Sequence, residues 1–248
     1  MVRFITRTAF LAVVGMGLAS STATQAAPMI FFGQDLNADE SVRLASFPNA
    51  SAARASFLSN LTGVGTETFE SFATNAAPPL VLSFPGAGTA TLTGAGVFVN
   101  SVPSGTSAGR YPISGTKYVE GSSASLLVSF SAPVAAFGFY ATDVGDFSGR
   151  ITLTLTRPSG TETFTVPSAI NINGGSVLYY GIIDAANPFT SVTFGNTAAG
   201  SDFFGFDDMT IGSVQQVTPV PEPTTLASMT LGAVLLGFAS RRARRRKA

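Results

Sequence analysis

The chain has 248 residues, 45% of them hydrophobic and only 11% charged, with no Cys and no His or Trp. Lacking thiols and imidazoles, it can form no disulfide, no Ser-His-Asp relay, no Cys or His nucleophile and no conventional zinc site. The formal net charge of 0 hides an uneven distribution: between Pro28 and Pro219 there are 6 basic and 13 acidic residues, a net of minus seven that argues against nucleic acid as a partner.

At the N-terminus Arg3 and Arg7 precede an apolar run from Ala9 to Ala19 and a small-residue stretch from Ser20 to Ala27. Basic, apolar and small-residue regions in that order predict a secretory signal peptide over 1–27, cut after Ala26 or Ala27 by signal peptidase. The apolar run is short for a permanent anchor. Over 28–65 the spacing predicts one short helix, 50–61. Asn49 is its expected N-cap, Ala53, Phe57 and Leu61 share one face, and Gly63 ends it.

From Thr66 the apolar period changes to two. Strands are expected at 68–72, 80–84, 89–92 and 97–102, then a Gly/Pro-rich loop over 103–115. Further strands are expected at 126–130, 134–140, 151–156, 162–166, 177–183, 191–194 and 204–211. Arg157-Pro158-Ser159-Gly160 reads as a hairpin turn. Short strands without alternating helices predict an all-β fold over 66–213, an antiparallel two-sheet sandwich of jelly-roll type. A partly open barrel is the competing architecture.

The C-terminus has three parts: a Pro-rich linker over 214–223, a hydrophobic helix over 224–240 and a basic cytoplasmic tail over 241–248. Prolines stiffen the first part, and the basic cluster holds the end of an apolar segment beside anionic headgroups. The residues Val220-Pro221-Glu222-Pro223, the helix with Gly232 and Gly237, and Arg241-Arg242-Ala243-Arg244-Arg245 resemble the PEP-CTERM sorting signal of Gram-negative exopolysaccharide-producing bacteria. That resemblance implies export by the general secretory machinery and transient anchoring in the inner membrane. It further implies recognition by an exosortase-type sorting enzyme at Pro221, Glu222, Pro223, Arg241 and Arg242, then release to the cell surface or extracellular matrix. More loosely, Phe69-Glu70-Ser71-Phe72, Ala136 to Tyr140 with Asp143, and Gly205 to Ile211 resemble secreted sandwich domains and the layout of lectin-like jelly rolls.

Acidic residues are few enough to inspect singly. Glu70, Asp143, Asp207 and Asp208 are the candidate ligands of a structural Ca²⁺, because adjacent first and last strands would bring three carboxylates together with backbone carbonyls. Solvated turn residues and salt bridges to Arg150 or Arg110 are the competing readings. Alternation along a strand predicts that Asp207 and Asp208 point to opposite faces. Tyr111, Tyr118, Tyr179 and Tyr180 are the candidate ligand contacts, by stacking on sugar rings, with one core ring and otherwise ordinary half-buried rings as the competing reading. No pair of carboxylates is marked out for glycoside hydrolysis. The expectation is a non-catalytic exported surface or matrix protein, with a carbohydrate-binding module acting on exopolysaccharide as the alternative.

Overall fold

The computed structural model describes residues 27–122, 126–198 and 202–218. Two antiparallel sheets are stacked. Sheet I runs β1 (Met29–Asp35), β11 (Val177–Ile183), β8 (Ala136–Thr142), β13 (Phe203–Gly212), β6 (Lys117–Ser122), β5 (Phe98–Ser101), with the two-residue β2 (Thr66–Glu67) also paired to β13. Sheet II runs β10 (Gly160–Thr165), β9 (Ile151–Arg157), β12 (Phe189–Asn196), β7 (Leu127–Val134), β4 (Gly88–Thr93), β3 (Leu80–Phe84). The all-β, two-sheet expectation holds.

The two sheets bury their residues differently. In β9, Ile151, Leu153 and Leu155 are buried while Thr152, Thr154 and Thr156 are partly exposed, the period of a strand wet on one face. In β8 and β11 every residue is buried, because sheet I is covered twice. Its inner face meets sheet II across an aromatic cluster in which Phe194 lies 5.3 Å from Phe139 and 5.1 Å from Phe206. Its outer face carries the helix α1 (Pro48–Leu58). Phe57 of that helix sits over Gly138 and Gly181, which face each other across β8 and β11. A Cβ at Gly181 would lie 2.6 Å from the Phe57 ring, so only glycine lets the helix approach this closely.

Several elements differ from the sequence reading. Helix α1 starts earlier and stops earlier than 50–61, and Asn49 is not its cap. The Asp35 carboxylate at the end of β1 accepts from Asn49 N at 3.2 Å and Ala50 N at 2.9 Å, so the first turn is capped by another element. β1 and β6 were not expected. β1 begins one residue after the signal-like segment without strict alternation, and β6 carries Lys117 and Glu120 within a buried strand. The expected strand 68–72 is a turn: Phe69 has φ of 60°, and its N–H is bonded to the Glu67 side chain at 2.7 Å.

The expected linker starts later than residue 214. Val214–Gln216 is a 3₁₀ turn, Val217 bridges Leu61, and Thr218 N donates to Asn60 O at 2.8 Å. Buried Gln216 donates its amide to Gly63 O and Pro85 O at 2.8 and 2.9 Å. Residues 214–218 therefore belong to the domain. Among the described residues no helix is long and apolar enough to cross a membrane. The expected signal peptide up to residue 26, the helix 224–240, the tail 241–248 and the sorting residues Pro221, Glu222, Pro223, Arg241 and Arg242 lie outside the described residues.

Candidate functional site

The β5–β6 connection, residues 102–116, carries Gly105, Gly109, Gly115, Pro103 and Pro112. Carboxylates from distant parts of the chain hold it in place. Glu70 accepts from Thr116 N at 2.8 Å, Lys117 N at 2.6 Å and the Thr116 hydroxyl at 3.2 Å. Asp207 accepts from Ile113 N at 2.8 Å and Ser114 N at 2.9 Å, and Asp208 accepts from the Ser114 hydroxyl at 2.6 Å. Arg110 reaches Asp143 at 3.1 Å and Glu120 at 3.3 Å. Glu70, held below its usual range, makes its bonds as an anion, and such charge-assisted bonds are stronger than neutral ones.

All four candidate calcium ligands, Glu70, Asp143, Asp207 and Asp208, thus act on one loop: Asp207 and Asp208 meet at Ser114, Glu70 holds Thr116 and Asp143 pairs with Arg110. Among the described residues no three acidic side chains gather around a point that could hold a metal ion. Backbone N–H groups, hydroxyls and Arg110 occupy the positions that the calcium expectation assigned to a cation. The alternation expected of Asp207 and Asp208 also fails, for a geometric reason. The β13–β8 register shifts between Asp207 and Thr210, and Asp208 has φ of 49°. This bulge turns both carboxylates toward the loop. Asp208 in addition lies 3.6 Å from Arg54 of α1.

A second acidic group lies at the same end of the sandwich, beside a cleft of about 450 Å³ lined by Asp39, Glu40, Asp146, Ile172 and Asn173. Burial, then a hydrogen bond to the Asp202 carboxyl and its charge, pushes Asp146 up to about 6. Burial pushes Asp143 up to about 7, with Asp146 and Asp202 adding to it and the Gly175 N–H and Arg110 opposing it. Asp207 is pushed up to about 8 by burial, with the Asp208 charge adding to it and the bonded N–H groups opposing it. Glu70 goes the other way: burial raises it, but the Thr116 and Lys117 donors and the Lys117 charge outweigh that.

The tyrosine expectation is corrected. Tyr111 and Tyr180 are buried, and Tyr118 and Tyr179 are 0% exposed. The Tyr111 hydroxyl donates to Gly175 O at 3.0 Å and accepts from Leu44 N at 3.1 Å. Tyr118 donates to Glu120 at 3.0 Å. Tyr179 packs 5.0 Å from Tyr140 and 5.8 Å from Phe57, and Tyr180 packs 6.3 Å from Phe139. These rings fill the two covered faces of sheet I, so none can stack on a ligand. The competing reading of a salt bridge to Arg110 is the one the structure takes at Asp143; Glu120, Asp146 and Asp202 were missed as site residues. The available signal was Arg110, a lone cation inside a Gly/Pro-rich loop of an acidic chain.

Comparison with known proteins gives one match to a described family: residues 219–246 match the PEP-CTERM protein-sorting motif. No curated protein matches the chain. Among solved structures, the K2 cleaved adhesin domain of Lys-gingipain is similar at 17% identity and a TM-score of 0.39, over 60% of this chain and 98% of that one. TmCBM61 in complex with β-1,4-galactotriose is similar at 15% identity and a TM-score of 0.27, over 50% of this chain and 88% of its own. The CBM22-1 xylan-binding domain from Paenibacillus barcinonensis Xyn10C is similar at 13% identity and a TM-score of 0.29, over 63% and 96%.

Proposed function

We infer that the chain is a non-catalytic exported protein of the cell surface or extracellular matrix, whose C-terminal segment is recognised and removed by an exosortase. The observation that carries this reading is the sorting motif at 219–246, which follows directly on Thr218, a residue still bonded to Asn60 of the β domain. The absence of His and Cys and the engagement of Glu70, Asp143, Asp207 and Asp208 in holding a loop support a binding or structural role over catalysis. Raised carboxyl groups occur at catalytic sites. Here burial supplies the physical cause, with neighbouring carboxylates adding to it and bonded N–H groups opposing it, and no substrate is required.

The test is expression of the full chain in an exopolysaccharide-producing host with and without its exosortase, followed by mass measurement of the product. The expected product has lost both ends and lies outside the inner membrane. Deleting the exosortase, or changing Pro221, Glu222 and Pro223 to Ala, leaves the tail attached and the protein in the membrane. Extracellular protein with its tail intact would refute the reading.

A further inference from the structure

The exposed face of sheet II has a composition unlike the rest of the molecule. Its strands are in register, so outward side chains form rows across the sheet. One row reads Thr161, Thr156, Ser191, Ser129, Thr91 and Val81 from β10 to β3. The next, two residues along each strand, reads Thr163, Thr154, Thr193, Leu127 and Thr93. Thr161, Thr163 and Thr193 are exposed, the Thr of β4 and β9 are partly exposed, and the alternate residues Leu153, Val192 and Leu92 are buried beneath. No residue of either row is charged.

Sheet geometry sets the spacing: rows repeat about every 6.8 Å along the strands, and neighbours within a row stand about 4.8 Å apart. The Thr154 and Thr163 hydroxyls bond each other at 2.9 Å, so at least this cross-strand pair is held in one orientation. The domain's excess of acidic residues lies elsewhere. Glu70, Glu120, Asp143, Asp146, Asp207 and Asp208 gather at the loop end, and Arg157 pairs with Glu162 and Asp184 at the edge of sheet II. A charged polymer finds no counter-charge on this face, and a polyanion would be repelled by the rest of the domain. A neutral polyhydroxylated surface finds donors and acceptors at regular spacing, with a methyl beside each Thr hydroxyl and no charge to desolvate.

We propose that the outer face of sheet II is an adsorption surface for a neutral, ordered polysaccharide, engaged by the Thr/Ser rows. This rests on the exported matrix reading above and adds the partner and the face. Binding by many weak contacts over a broad sheet face also needs no aromatic platform, consistent with the burial of Tyr111, Tyr118, Tyr179 and Tyr180.

The experiment is co-sedimentation of the protein, produced from the full chain and purified after export, with microcrystalline cellulose as the neutral probe and cross-linked alginate as the acidic one. Wild-type protein is expected on cellulose and not on alginate. Thr193→Lys places a charge in the middle of the grid and should weaken retention about tenfold or more, a change of about 1.4 kcal/mol per decade. Thr156→Val with Thr193→Val keeps shape and strand propensity but removes two hydroxyls, and should weaken it several-fold. Ala55→Lys on the exposed side of α1 adds the same charge elsewhere and should leave retention unchanged; circular dichroism confirms that each variant is folded. Equal retention of Thr193→Lys and wild type, equal binding to alginate, or no retention on cellulose would overturn the proposal. Shaping of ice crystals without cellulose retention would assign the face to another lattice and overturn it too. Tail removal, read by mass on the same samples, tests the sorting reading separately.

Discussion

Replacing Asp207 by Asn removes the charge of this side chain while keeping its two hydrogen bonds to the loop. Asp207 is 1% exposed and accepts N–H bonds from Ile113, Ser114 and Asp208 at 2.8, 2.9 and 2.7 Å. Burial pushes its carboxyl up to about 8, whereas an unfolded Asp titrates near about 4. The folded protein keeps a proton that the unfolded chain releases. The resulting stabilisation is full below the unfolded value and is lost as pH rises through the folded one. Four pH units at about 1.4 kcal/mol each set a ceiling of about 6 kcal/mol. That ceiling already contains the opposing pull of the three N–H donors; the three pH units that fall above pH 5 amount to about 4 kcal/mol, or about 8–16 °C in Tm for a domain of this size. Asn is isosteric and neutral at every pH; its carbonyl can still accept from Ile113 and Ser114, which share one oxygen, while the Asp208 N–H on the other oxygen loses its acceptor.

The assay is calorimetric Tm from about pH 5 to about pH 9, a window in which Glu70, held low, stays ionised and contributes no slope. Wild type should lose Tm across it, with Asp143 and Asp146 contributing in the same direction. Asp207→Asn should start below wild type at the acidic end, by the bond lost at Asp208 N, and should lose less across the window by about the amount given above. Parallel curves for the two proteins, or a wild-type Tm that rises with pH, would refute the reasoning.

Two other outcomes follow from the same loop. Gly109 has φ of 81°, and a Cβ there would overlap the Asp143 carboxylate and lie 2.8 Å from Gly175 N; Gly109→Ala should cost about 3 kcal/mol in urea unfolding, and an unchanged midpoint would show that this loop is not clasped as described. Because loop donors already hold Glu70, Asp143, Asp207 and Asp208, thermal unfolding in EDTA and in millimolar Ca²⁺ should give the same Tm; a Ca²⁺-dependent rise would mean that the native state binds the ion.

The sequence alone determined the features that depend on local pattern. Strict alternation in Ile151 to Thr156, the turn at Arg157 to Gly160 and the Gly/Pro punctuation were enough for an antiparallel sandwich, since a strand wet on one face writes its period into the chain. The sorting motif was legible for a similar reason: its parts are contiguous and ordered. Tertiary structure decided what depends on distant partners. Asp35 caps α1, although it is separated from the helix by a loop, and β6 tolerates Glu120 because Arg110 and Tyr118 meet it there. A one-residue bulge turned Asp207 and Asp208 toward the same loop. The strand pattern allowed one buried tyrosine ring but not all four, because an aromatic residue in a strand looks the same whether its sheet is covered on one face or two. That second cover, α1 seated on Gly138 and Gly181, comes from residues more than a hundred positions away in part. The Thr rows lay in the sequence as separate alternating segments, and only the register placed them side by side.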